Sequence, residues 1–248
     1  MNPIAVVAMG AAAGYMAVCT AARLRSRSTR TTQVLLIAGI LTTGAFTVVI
    51  PGVYEGVSAL LGSPNAADPL SKILLLIAVA LTGHQFTAAS NAVLARKTIA
   101  GVPGVVAFAA AVGVMAVTFP AVEAPYPSPF LLDFLDQPAA KVYTMAALGY
   151  LAFVAALLCP GALRIARIAR TQAHRNGARL LAGGFALAIV RAPLELFTTP
   201  VREQLFNIVS CASAVSVAAG LACFARHRRQ NPPRATAYVK SYLAEEKR

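Results

Sequence analysis

Residues 139–170 read AAKVYTMAALGYLAFVAALLCPGALRIARIAR. From 139 to 163 this stretch is almost entirely apolar, and a helix of about 20 apolar residues is long enough to cross the hydrocarbon core of a bilayer. Arg164, Arg167 and Arg170 follow at every third position. The apolar run therefore predicts a transmembrane helix, and the arginines indicate which side of the membrane its end occupies.

The composition of the whole chain also indicates a membrane protein. Of 248 residues, 58% are hydrophobic and 12% are charged, whereas about 25% of a soluble domain is charged. This balance argues against a water-soluble enzyme. Apolar runs separated by charged or Pro, Asn and Asp clusters predict seven spans, at about 3–22, 32–50 with a continuation to 61 past Pro51, 70–93, 101–121, 139–163, 178–198 and 204–225.

We predict an all-α, polytopic membrane protein. Open strands leave backbone groups unsatisfied in lipid, and no segment has the alternating pattern of a barrel strand. The transmembrane domain is predicted to cover residues 1–225, and a basic tail covers 226–248.

The basic residues lie on one side of these spans. Eighteen of the 22 lysines and arginines fall in the segments 22–31, 94–100, 164–179 and 226–248. Under the positive-inside rule this side is cytoplasmic, which puts the N-terminus outside and the C-terminus inside. The net charge of +13 is then a topology signal and a surface for anionic headgroups, with no nucleic acid implied. Arginine and alanine enrichment fits a high-GC bacterial genome, and we expect the protein in the bacterial cytoplasmic (inner) membrane.

Four ionisable residues in or near the spans form a candidate binding site: Glu55, His84, Arg191 and Glu195. Charges within lipid are costly and therefore suggest function. Arg191 and Glu195 share a helix face at i,i+4 spacing, with Pro193 between them. Two interpretations are open: a polar cavity reached from outside, or a structural ion pair with Glu55 solvated among headgroups. His84 is either a proton relay or an interhelical hydrogen-bonding residue.

Several tyrosines, arginines and glycines predict surfaces that contact lipid or a partner. Tyr54, Tyr126 and Tyr143 are expected in the outer interfacial belt. Arg164, Arg167 and Arg170 lie beyond the bilayer field, so they indicate a lipid or partner surface and not a voltage sensor. Arg228 and Arg229 precede an amphipathic stretch at 235–243, which either lies on the inner leaflet or docks a cytoplasmic protein partner. The GxxxG from Gly10 to Gly14 serves either bundle packing or a homodimer contact.

The sequence contains no recognised catalytic set. HExxH, GxSxG and P-loop motifs are absent, and the last span has no lysine for a retinal Schiff base. The four cysteines lack metal-ligand spacing. We therefore expect no catalytic residue, no metal and no cofactor.

The order of several features resembles a family of uncharacterised actinobacterial seven-helix integral membrane proteins that are labelled as transporters. The matching features are Asp68-Pro69-Leu70 before His84-Gln85, Phe134 before Tyr143, the arginines from 164 to 170, and Gly177 to Gly184. Many members carry a soluble cytoplasmic domain where this sequence has its tail. The resemblance implies transport of a small solute. The alternative is a sensor, or an interaction or scaffold protein, acting through its basic cytoplasmic face and tail.

Overall fold

The computed structural model describes residues 30–194 and 202–230, together with residues 14, 17, 18, 20 and 21 of the first predicted span. These residues are helical apart from short connections. The α-helices are α1 (Arg30–Val48), α2 (Pro51–Leu60), α3 (Ala67–Ala89), α4 (Val93–Ala100), α5 (Val102–Thr118), α6 (Pro138–Ile168), α7 (Gln172–Leu194) and α8 (Arg202–Gln230), and two 3-10 helices cover Phe119–Ala121 and Pro129–Phe134.

Four helices are long and apolar enough to cross a membrane, namely α3, α5 with its 3-10 extension, α6 and α7. The bent pair α1–α2 passes the same test as one unit, and α8 contains a shorter apolar segment, Ile208–Phe224. The described part of the chain thus has the make-up of a multi-pass membrane protein. Most of the first predicted span lies outside the described residues.

The structure differs from the predicted spans at Pro51. Residues 51–60 are helical, as the continuation of the second span required, but α2 turns by 95° from α1. Proline cannot donate the next helical hydrogen bond, and Ile50 before it is extended (φ −68°, ψ 129°), as residues before proline tend to be. The continuation therefore does not lengthen the second span along its axis.

The connection between α3 and α5 is also more ordered than a loop. It forms the short helix α4, which carries Arg96 and Lys97. The turn from α4 into α5 depends on two glycines, because a methyl group at Gly101 or Gly104 would overlap a carbonyl oxygen of α4.

The helices alternate in direction, which gives the bundle two ends. We call the end formed by α2, the start of α3 and residues 122–137 the loop end, and the opposite end, with α4 and the end of α6, the basic end. Helices α7 and α8 cross closely near the basic end, where a methyl group at Gly220 would lie 2.8 Å from the carbonyl oxygen of Gly177. Close approach through small residues is typical of membrane helices.

Candidate functional site

A cavity of about 250 Å³ lies inside the bundle, between α1, α3, α6, α7 and α8. Most of its wall is apolar, with Leu76 and Val79 on α3, Leu151 and Leu158 on α6, and Val217 on α8. Helix α8 lines it from Ser210 to Leu221, a length of roughly 16 Å at a rise of about 1.5 Å per residue. The cavity is therefore elongated along the bundle axis.

Hydroxyl side chains occur along the cavity wall, including those of Thr20, Thr42, Thr82 and Ser213, whereas the charged residues lie where the cavity meets the loop end. Lys72, Thr144, Arg191 and Ser210 all line it there. The Nε–H of Arg191 donates to Oγ of Ser210 at 3.0 Å, which ties α7 to α8. Among the lining residues that the structure describes, Lys72 and Arg191 are the charged ones, and both are basic. An acidic group of a ligand at this end would meet two basic side chains that already have partners within the protein.

Thr144 is a lining residue whose hydroxyl is buried. Thr42, Thr43 and Thr118 each return their hydroxyl to the carbonyl oxygen four residues earlier. Thr144 is only 5% exposed, yet its Oγ1 has no hydrogen-bond partner within the described part of the chain. A buried polar group is normally satisfied, so this hydroxyl, which has no partner among the described residues, is a candidate partner for a polar group of a ligand.

Lys72 links the cavity to a fully buried carboxylate. Its Nζ lies 2.9 Å from Oδ2 of Asp68, one turn earlier on α3, and 4.0 Å from the ring centroid of Tyr143. The hydroxyl of Tyr143 donates to the same Oδ2 at 2.6 Å. Asp68 Oδ1, by contrast, accepts no hydrogen bond from the residues described. The acid, the base and the phenol form one cluster, which we call the Asp68 cluster.

A second polar group holds residues 122–137 over this cluster. Oδ1 of Asn65 accepts from the hydroxyl of Tyr54 at 2.8 Å and from the N–H of Ser128 at 2.7 Å. Its Nδ2 donates to the carbonyl oxygen of Tyr126 at 2.9 Å. Because Asn65 is 2% exposed, these bonds replace water that the amide has lost, and they keep the loop end closed above Asp68.

The backbone after Ser128 is strained. Phe130 and Leu131 both have positive φ values, 63° and 54°, and a left-handed conformation costs a non-glycine residue about 1–2 kcal/mol. The strain is compensated by burial, because Leu131 is fully buried and Phe130 lines the cavity. Residues 122–137 thus supply an aromatic side chain to the cavity wall.

The three described members of the predicted site do not all line the cavity. Arg191 lines the cavity. Glu55 is exposed on α2, and His84 is half-buried on α3; neither is among the lining residues. Glu195 lies outside the described residues. The four residues therefore stay a prediction as a binding set, and Arg191 is the member that the described structure brings to the cavity.

The remaining surface predictions have mixed outcomes. Arg164, Arg167 and Arg170 are exposed at the basic end. Arg228 and Arg229 belong to the last turn of α8, and residues 231–248 lie outside the described residues. The prediction that Tyr54 and Tyr143 face an interfacial belt was wrong. Both side chains are fully buried, and their hydroxyls bind Asn65 and Asp68 inside the bundle.

Sequence reasoning did not select Lys72, Thr144, Ser210 or the Asp68 cluster. The signal available for the cluster was the i,i+4 spacing of Asp68 and Lys72 at the start of an apolar run. No three His, Cys, Asp or Glu side chains come together as a metal site within the residues described.

Comparison of this chain with family models, curated proteins and solved structures found no match. The resemblance to the actinobacterial membrane protein family therefore stays a prediction.

Proposed function

We propose that this protein is a transporter of a small amphipathic anion, with seven membrane-spanning helices, the N-terminus outside and the C-terminus inside a bacterial cytoplasmic membrane. The observation that carries the proposal is the distribution of charge in the cavity: a mostly apolar chamber whose charged residues, Lys72 and Arg191, are both basic and lie toward one end. Ligand sites are commonly apolar with a few placed polar groups.

The chemistry of the wall defines the class of solute. An alkyl chain or other apolar body suits the leucine and valine wall along α6 and α8, where it loses contact with water. A carboxylate, sulfonate or phosphate suits the end with Lys72 and Arg191, since charge-assisted hydrogen bonds are the strong ones. Thr144 offers a further donor.

The free-energy cost of burying charged and polar side chains in a membrane domain favours transport over a purely structural role. Charged residues inside a membrane domain are expensive and are usually retained for function. A structural ion pair accounts for Lys72 beside Asp68. It does not account for the buried hydroxyl of Thr144, a residue of the same chamber wall that has no hydrogen-bond partner among the described residues.

Binding can be tested with octane-1-sulfonate, which combines an apolar chain with a permanently ionised head, and with octan-1-ol as the matched neutral probe. We expect the wild-type protein in lipid nanodiscs to bind the sulfonate at least about tenfold more tightly than the alcohol, a difference of about 1.4 kcal/mol. Arg191→Met should reduce this preference. Equal affinity for the two probes would refute an anion site.

Uptake distinguishes the two candidate functions. Proteoliposomes that contain the protein should accumulate radiolabelled octane-1-sulfonate faster than protein-free vesicles. Filling the chamber with Ala155→Phe, a buried position of its wall on α6, should remove this difference. Binding without uptake would favour the second candidate, a sensor or interaction protein.

The second candidate rests on the basic end. Arg164, Arg167 and Arg170 are exposed there, and such a surface suits anionic headgroups or a cytoplasmic protein. In this alternative, occupancy of the cavity changes what the basic face and the tail contact. A homodimer is compatible with either candidate.

A further inference from the structure

The position of Lys72 connects ligand binding to a proton. Lys72 is one of the residues that line the cavity, and its ammonium group, which is buried away from the cavity space in this structure, lies 2.9 Å from Oδ2 of Asp68. We infer that the anion and a proton bind together: the anion takes Lys72 as its partner, and Asp68 takes the proton. This inference rests on the proposed anion site and names how that site is coupled.

Uptake of a proton by Asp68 keeps the net charge of the site unchanged when the anion binds. In the structure the Asp68 and Lys72 side chains form an ion pair that is almost wholly removed from solvent, with Asp68 at 0% and Lys72 at 8% exposure. If the anion takes Lys72, the carboxylate of Asp68 is left buried beside a second negative charge. A buried carboxylate without its counter-ion neutralises by taking up a proton. The site then holds a neutral acid, an ammonium and the anion, so its net charge is unchanged.

The geometry of Asp68 provides a place for the proton. Lys72 and Tyr143 both contact Oδ2, whereas Oδ1 has no hydrogen-bond partner within the described part of the chain. Oδ1 can therefore be protonated without displacing the hydrogen bond from Tyr143. The new O–H bond forms at Oδ1 as an O–H bond of a hydronium ion in solution breaks and leaves water. The acid form of the buffer then loses a proton to restore the pH.

The titratable groups around Asp68 leave it as the proton acceptor. Lys72 faces it from its own helix, Tyr143 from α6 and Tyr54 from α2. The neighbouring acids of the loop end, Glu123 and Asp133, are exposed to solvent. Across the cavity, α7 contributes Arg191, which is already a cation. Lys72 remains protonated because it pairs with the anion in the bound state.

Proton uptake can be measured directly by titrating the full chain in nanodiscs with octane-1-sulfonate at pH 7, in phosphate and in Tris buffers. The sulfonate is ionised throughout, so any proton taken up binds to the protein. The dependence of the binding heat on the ionisation enthalpy of the buffer gives the number of protons, and we expect about one per sulfonate bound. Asp68→Asn should still bind the sulfonate and take up none.

The outcomes separate the two claims. Sulfonate binding without proton uptake in the wild-type protein would overturn this inference and leave the anion site intact. No sulfonate binding would overturn both. Persistent uptake in Asp68→Asn would overturn the assignment to Asp68. If Asp68→Asn does not fold, Thr144→Val is the second variant: it should bind the sulfonate more weakly yet take up the same number of protons at saturation, and loss of uptake there would contradict the inference.

Discussion

Replacing Lys72 with methionine removes the counter-ion of Asp68 while keeping a side chain of similar length. The pair is close, 2.9 Å between Nζ and Oδ2, and the carboxylate is fully buried. Removing one partner of a buried ion pair costs about 3–5 kcal/mol, whereas replacing both partners is often close to neutral. We therefore expect Lys72→Met to lower the free energy of unfolding by about 3–5 kcal/mol, and the double variant Asp68→Asn/Lys72→Met to recover most of that loss.

Equilibrium unfolding in dodecylmaltoside micelles at pH 7.5, with dodecyl sulfate as denaturant and circular dichroism as the signal, measures these differences. Lys97→Met is the matched control, because Lys97 is exposed on α4 and a surface substitution changes stability by no more than about 0.5 kcal/mol. The reasoning fails if Lys72→Met is as stable as this control. It also fails if the double variant is no more stable than Lys72→Met, since the two losses would then not arise from one interaction.

Three further variants test other contacts by the same unfolding measurement. Asn65→Leu leaves the hydroxyl of Tyr54 and the N–H of Ser128 without their acceptor, so it should cost about 3 kcal/mol, and a loss below about 1 kcal/mol would contradict the role of Asn65. Gly220→Ala should lower the free energy of unfolding by about 1–3 kcal/mol, because it overpacks α7 against α8. Gly183→Ala is the control and should be neutral or stabilising, since a methyl group there meets nothing within 4 Å. Equal effects of the two variants would refute the close packing. Thr144→Val should leave stability unchanged or raise it, because the hydroxyl has no partner among the described residues. The same variant should weaken octane-1-sulfonate binding about three- to tenfold, an effect of about 1 kcal/mol. A large loss of stability would show that the hydroxyl is bonded within the protein.

The long apolar helices could be predicted from the sequence because their signal is local. The runs at 70–93, 101–121 and 139–163 coincide within a few residues with α3, α5 and α6. Hydrophobicity sustained over one span does not depend on the rest of the fold. The 95° turn at Pro51 was not predicted, because proline is also compatible with a kinked but continuous helix.

The Asp68 cluster was missed for a different reason. Asp68 and Lys72 have the same i,i+4 spacing that drew attention to Arg191 and Glu195, but they lie at the start of a span, where charges usually meet headgroups or water. Their burial depends on Tyr143, 75 residues later in the chain, and on residues 122–137, whose prolines give no periodic pattern. Contacts of this kind are set by the tertiary fold.

The cavity was anticipated only in outline. A polar cavity reached from outside was one of two interpretations of the four ionisable residues, and Arg191 is the member that the structure brings to the cavity wall. The wall itself is made of leucine, valine and alanine residues whose side chains are indistinguishable in sequence from those that face lipid. Which face of each helix turns inward follows from packing.

Photolabelling tests the central claim most directly. An alkyl sulfonate with a diazirine at the end of its chain, bound to the protein in nanodiscs and irradiated, should label the chamber wall on α6 and α8, at Leu151, Leu158 and Val217. Excess octane-1-sulfonate should abolish that labelling, and excess octan-1-ol should not. Labelling confined to the exposed apolar face of α5, at Val106 and Val117, would mean that the probe only dissolves in the surrounding lipid, and it would contradict a binding site inside the bundle.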